Sequence, residues 1–121
     1  MPVSVMLVDD VAEVRVLLRT ALRLSAHADV VAEAATSTAA NELAAITRPD
    51  LIVLDLRLPD ASSREAFLRV REASPASQVV IYSVGDTDRS WYERNGAARF
   101  LLKDGDIVTL IETIESAERD R

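Results

Sequence analysis

Five short apolar runs rich in β-branched residues recur along the chain: Val3 to Val8, Val30 to Ala34, Leu51 to Leu56, Val79 to Ser83 and Arg99 to Leu102. Their length, and the lack of strict apolar–polar alternation, fit strands buried on both faces of a parallel sheet. Helical patterns lie between them. Val11, Val14, Leu18, Ala21, Leu22 and Ser25 follow helical spacing, and Ala39, Leu43 and Ile46 follow it again before Pro49. A third helix is predicted from Arg64 to Ala73, ended by Ser74-Pro75. Ile107, Leu110, Ile111 and Ile114 form an i, i+3, i+4, i+7 stripe for the last. The fourth segment, Asp86 to Asn95, is weaker. Its large apolar residues are the adjacent Trp91 and Tyr92, which cannot make a stripe, so a short or mobile element is expected. Five strand–helix alternations predict right-handed βαβ units in a doubly wound α/β fold with helices on both faces.

Composition excludes several function classes. A chain of 121 residues predicts a single domain over residues 1–121, and no repeat or linker interrupts it. With 49% hydrophobic and 28% charged residues, it is not expected to be disordered. No apolar run approaches the roughly 20 residues of a membrane helix. The opening Met1-Pro2-Val3-Ser4-Val5 lacks the basic region of a signal peptide, so a cytoplasmic location without membrane contact is expected. The absence of Cys removes disulfides, thiol catalysis and thiolate metal sites. One histidine, His27, argues against His-rich metal sites and His-dependent triads; it reads as a surface loop residue without a role. A net charge of −6 disfavours bulk attraction to nucleic acid or anionic lipid. Thirteen of the fourteen basic residues are Arg; the exception is Lys103.

The polar residues at the strand ends carry the chemical signal. The first run ends in Asp9-Asp10, the third reaches Asp55, the fourth ends in Ser83 and the fifth stops before Lys103. Open α/β sheets bind ligands beyond the carboxyl ends of their strands, at the topological switch point. With strand order 2-1-3-4-5, Asp9, Asp10 and Asp55 would crowd together, with Ser83 and Lys103 to one side. Three close carboxylates repel one another, and a hard divalent cation such as Mg²⁺ relieves that repulsion through oxygen ligands. Lys103 can pair with a carboxylate or hold a phosphoryl oxygen. Ser83 offers a hydroxyl, and a carboxylate can itself act as a nucleophile toward phosphorus. Bland readings exist for each residue. Asp9-Asp10 could cap a helix, Asp55 could serve the turn before Pro59, and Trp91 and Tyr92 could be core. The ordered coincidence of Asp-Asp, Asp, Ser and Lys at strand ends weighs against accident.

These residues make the chain recognisable. Val5-Met6-Leu7-Val8-Asp9-Asp10, Leu51-Ile52-Val53-Leu54-Asp55-Leu56-Arg57-Leu58-Pro59, Val80-Ile81-Tyr82-Ser83 and Phe100-Leu101-Leu102-Lys103 together resemble the receiver domain of two-component response regulators, the CheY-like family. The wording around Lys103 is similar to regulators of the NarL/FixJ type. The resemblance implies a flavodoxin-like five-stranded parallel sheet in the order 2-1-3-4-5, and a Mg²⁺-dependent phosphoacceptor switch rather than a metabolic enzyme. Asp55 would take a phosphoryl group from a histidine kinase. Asp10, Asp55 and the backbone carbonyl of Arg57 would ligate the metal, with Asp9 acting through a bound water. Ser83 and Lys103 would contact phosphoryl oxygens, and Phe100 would be the aromatic switch residue. The output would be the surface of helix 4, strand 5 and helix 5, read by a downstream domain or protein, with homodimerisation as one outcome. No direct nucleic-acid contact is expected from residues 1–121.

Four departures from the family pattern stand out. The loop Pro59-Asp60-Ala61-Ser62-Ser63-Arg64 lacks the usual glycines, so its path is expected to differ. Arg57 places a cation beside the site, where it would either attract phosphodonors or compete with Mg²⁺. Val84 is bulkier than the family's usual residue, and the short stretch from Ser83 to Gly96 puts Trp91-Tyr92 on the expected output face. The alternative is an atypical receiver that binds a protein partner without phosphorylation. An enzyme proper is disfavoured: a flavin carrier would want a hydroxyl-rich loop after strand one, and a haloacid-dehalogenase-type phosphatase would want Asp, not Arg, at position 57.

Overall fold

The structure, a computed structural model, describes residues 2–84, 88–103 and 107–119, with residues 118 and 119 described by backbone alone. Strand and helix alternate throughout: β1 (Val3–Val8), α1 (Ala12–Arg23), β2 (Ala28–Ala34), α2 (Ser37–Thr47), β3 (Leu51–Leu54), α3 (Ser63–Ala73), β4 (Gln78–Ser83), α4 (Arg89–Arg94), β5 (Arg99–Leu102) and α5 (Ile107–Arg119). The strands form one parallel sheet in the order β2-β1-β3-β4-β5, as expected.

Two apolar layers explain the uninterrupted hydrophobic runs. Successive side chains along a strand point to opposite faces. Met6, Val8, Ile52, Leu54, Val79, Ile81 and Phe100 therefore pack under α2, α3 and α4, meeting Ala40, Ala44, Phe67, Val70 and Tyr92. Val3, Val5, Leu7, Leu51, Val53, Val80 and Tyr82 pack on the other face, against Leu18 and Leu22 of α1 and Leu110 and Ile114 of α5. The exception is β2, an edge strand with exposed Asp29 and Val31.

Element boundaries differ from the sequence reading where side chains hydrogen-bond to backbone. β3 stops at Leu54 because Asp55 Oδ1 accepts from Arg57 N at 3.1 Å, a local turn that competes with the ladder. α3 starts at Ser63, capped by Ser62, whose hydroxyl accepts from Glu65 N at 3.3 Å and donates to Glu65 Oε1 at 3.2 Å. α4 is short, as expected, and opens on the Asp88 cap. Asp86 and Thr87 of the expected fourth helix, and Asp104 and Gly105 after Lys103, lie outside the described residues.

The core reading of Trp91 and Tyr92 holds. Tyr92 is 2% exposed and sits among Phe67, Trp91 and Phe100, with ring centroids 5.3, 5.0 and 5.9 Å away. Trp91 is half-buried, edge-on to Phe67 at 6.0 Å and covered by the Arg64 guanidinium at 4.5 Å. A six-residue helix has little area with which to dock, and burying one large aromatic ring supplies most of what it has. Behind α4, Gly96 adopts φ 106°, and the Arg71 guanidinium fills the space a Cβ would take, donating to Asn95 O.

Candidate functional site

The strand register brings the carboxyl ends of β1, β3, β4 and β5 level. Val8 lies beside Leu54, Leu54 beside Ile81, and Ser83 beside Leu102. The residues that follow therefore emerge together. Asp9, Asp10 and Asp55 offer carboxylate oxygens that all lie within 4.8 Å of one another.

Their environments differ. Asp55 is 4% exposed, and its Oδ1 accepts from Arg57 N and, at 3.2 Å, from Ser83 Oγ, which is itself fully buried. Burial pushes the Asp55 carboxyl above the ordinary carboxylate range. The Arg57 amide bond and the Lys103 charge oppose that shift, and nearby Asp9 adds to it. Asp9 is buried; its Oδ1 accepts from Val11 N at 2.9 Å and its Oδ2 pairs with Lys103 Nζ. The same Nζ lies 3.4 Å from Asp55 Oδ2. Of the two roles open to Lys103, this structure shows carboxylate pairing. Asp10 is exposed and, among the described residues, makes no hydrogen bond or ion pair.

The capping reading of Asp9-Asp10 does not hold. The residue ahead of α1 is Val11, and no side chain caps that helix. Among the described residues, Asp10 is thus left without a partner at the site. All-oxygen donors at this spacing suit a hard divalent ion, and one ligand is already exposed, so the residues present fit Mg²⁺. Arg57 contributes its amide, while its side chain is exposed. Phe100 lies apart from the carboxylates, buried against Tyr92 with the Arg89 guanidinium 5.9 Å from its ring. Val84 is half-exposed, and His27 is an exposed residue 3.9 Å from Glu115.

Sequence reading missed two supports. Asp60 closes the glycine-poor loop. Its carboxylate accepts from Ser37 N at 2.7 Å, and from Thr38 N and Thr38 Oγ1 at 3.0 and 2.8 Å. Those bonds, Thr38 N foremost, hold its pKa down at about 2. Ser63 Oγ donates to Leu56 O at 3.0 Å, next to Asp55. Neither partner is close in sequence, so no local motif betrays them.

The chain is similar to known proteins in sequence and fold. A family model described as the response regulator receiver domain matches residues 5–115. The nitrate/nitrite response regulator protein NarL of Escherichia coli (strain K12) is 30% identical over 118 residues, covering 96% of this chain and 55% of that protein. The chain thus spans about half the length of the curated relatives it matches. The signal receiver domain of the putative response regulator NarL from Mycobacterium tuberculosis superposes with TM-score 0.86 at 30% identity, covering 99% of this chain and 98% of that one. The response regulator domain of Thermotoga maritima CheB gives TM-score 0.88 at 25% identity, with 98% of each chain covered. Among the described residues, no helix is long and apolar enough to cross a membrane. With the sheet order, the aligned strand ends and the family match in agreement, the chain belongs to the response regulator receiver domains, signalling switches of two-component systems whose family function is phosphorylation-based.

Proposed function

We propose that Asp55 is the phosphoacceptor of this receiver and that a histidine kinase is its donor. The observation that carries the reading is the convergence of Ser83, Lys103 and two further carboxylates on one buried Asp55. In the transfer, an Asp55 carboxylate oxygen attacks phosphorus, the nitrogen–phosphorus bond of the phosphohistidine breaks, and the imidazole leaves. The product is an acyl phosphate on Asp55.

Asp9, Asp10 and Asp55, with the Arg57 carbonyl, would hold Mg²⁺, which when bound neutralises negative charge on the transferring group. The chain's own residues supply the rest. Lys103 already bridges Asp9 and Asp55, so moving from a carboxylate oxygen to a phosphoryl oxygen keeps its charge compensated. Ser83 already donates to Asp55 Oδ1 and needs only to follow the new oxygens. That shift opens space next to Phe100 and α4, and the α4–β5–α5 surface changes with it. A downstream output domain or protein, or a second copy of the chain, would read that surface. Any self-dephosphorylation would use the same residues.

The test is incubation with Mg²⁺ and a small acyl phosphate, followed by intact-mass measurement. One added phosphoryl group is expected, absent in Asp55→Asn and in the presence of chelator. Undiminished labelling of Asp55→Asn would place the acceptor elsewhere. A folded protein that neither labels nor binds Mg²⁺ would instead favour phosphorylation-independent partner binding.

A further inference from the structure

Asp10 has no bonded partner among the described residues, yet the two peptide groups that flank it are both held. The peptide after it is fixed through Val11 N–H, which donates to Asp9 Oδ1 at 2.9 Å. The peptide before it is fixed through Asp9 O, which accepts from the Arg15 guanidinium, reaching back from α1. These two planes set the backbone direction of Asp10, and so the direction in which its carboxylate leaves the chain. Arg15 is held in its turn: its Nε lies 3.5 Å from Glu33 Oε1 on β2, and the other Glu33 oxygen pairs with Arg19. All three side chains are mostly shielded from water, which favours a persistent arrangement.

We infer that Arg15, steadied by Glu33, is a positioning residue that aims the Asp10 carboxylate at the divalent-cation site. This inference deepens the metal-site reading above and rests on it. Arg15 touches neither the cation nor the phosphoryl group in this scheme; it acts through the Asp9–Asp10 peptide. The sign of the effect separates this role from simple electrostatics. Arg15 is a cation near three carboxylates, so removing its charge alone would tighten Mg²⁺ binding. Loss of positioning would weaken it, and partners that orient metal ligands typically matter by about 10-fold or more in affinity.

The experiment is calorimetric titration of Mg²⁺ into the parent, Arg15→Gln, Arg15→Lys and Arg19→Gln proteins. Arg15→Gln is expected to weaken binding about 10-fold, and Arg15→Lys to recover part of the loss. Arg19→Gln removes the same charge from the other side of Glu33 and is expected to leave affinity unchanged or slightly tighter. A second readout needs no metal: amide hydrogen exchange at Val11 is expected to quicken in Arg15→Gln and not in Arg19→Gln. Unchanged or tighter Mg²⁺ binding by Arg15→Gln, or equal weakening in Arg19→Gln, overturns the inference. If the parent itself fails to bind Mg²⁺, the metal-site reading falls. Val11 exchange then decides alone, and unaltered protection in Arg15→Gln overturns the positioning role.

Discussion

Replacing Lys103 by Met keeps most of the apolar stem and removes the ammonium. The side chains of Lys103, Asp9 and Asp55 are 11%, 4% and 5% exposed, so the deletion strands two buried carboxylates without their shared cation. Removing one partner of a buried pair typically costs about 3–5 kcal/mol. The lower end applies here, about 3 kcal/mol, because the cluster opens to water at Asp10. With a urea m-value of about 1–3 kcal/mol/M for a domain of this size, the unfolding midpoint should fall on the order of 2 M in chelator. Three further measurements constrain the cause. Adding Asp9→Asn to Lys103→Met should restore much of the loss. Mg²⁺ at about 100 times its dissociation constant should return roughly 2.7 kcal/mol by mass action. The deficit should also shrink in acid. Asp55 titrates above the ordinary 3.8, and Lys103 is one of the influences holding it down. Without Lys103 its folded pKa rises further. Because the folded value exceeds the unfolded one, the penalty is absent below the unfolded pKa and develops as pH climbs through the folded one. A deficit under about 1 kcal/mol at pH 7, the value of an exposed pair, or one indifferent to pH, would refute the buried-pair argument.

Other sites yield sharp expectations. Gly96→Ala should destabilise by about 2 kcal/mol, from positive-φ strain plus displacement of Arg71, since the new Cβ would sit 2.8 Å from Nη2 and closer to the rest of the guanidinium; in an Arg71→Ala background urea melts should show the strain alone. Asp60→Asn should remove a contribution that is present above pH 3.8 and lost as pH falls toward about 2, because the folded carboxyl titrates at about 2; parallel acid-unfolding curves for parent and variant would contradict the loop clasp. Phe67→Ala, emptying a fully buried position between Trp91 and Tyr92, should cost about 3–5 kcal/mol in chemical denaturation. It should also shift Trp91 emission to longer wavelength.

Most of the architecture was legible because its signal is periodic. A doubly covered parallel sheet demands continuous apolar strands, and Leu51–Leu54 and Val79–Ile81 could serve little else. The site was legible for a related reason: strand ends converge by topology, so Asp9, Asp55, Ser83 and Lys103 could be brought together before any distance was known. What escaped was whatever depends on contact between elements remote in sequence. The Ser62–Glu65 capping box was a local signal that went unread, and it moved the start of α3 by one residue. Tyr92 could be read as core, but a six-residue helix leaves no periodicity to show that it, rather than Trp91, is the more deeply buried of the two. Nothing in the sequence singled out Arg15 from the other arginines. Its bond to the Asp9 carbonyl arises from the angle at which α1 leaves β1, and no spacing rule encodes that angle.

Lys103 is the one lysine among 121 residues, and it is tethered inside the acidic cluster. Apart from the chain's α-amino group, an amine-directed acylating reagent therefore has a single target. Its rate of modification follows how often the ammonium lets go of Asp9. Whatever frees or recaptures that amine, metal, phosphoryl group or docking protein, would register as a change in the acylation rate of one peptide. The acylation rate of Lys103 thus gauges how firmly the acidic cluster holds its cation.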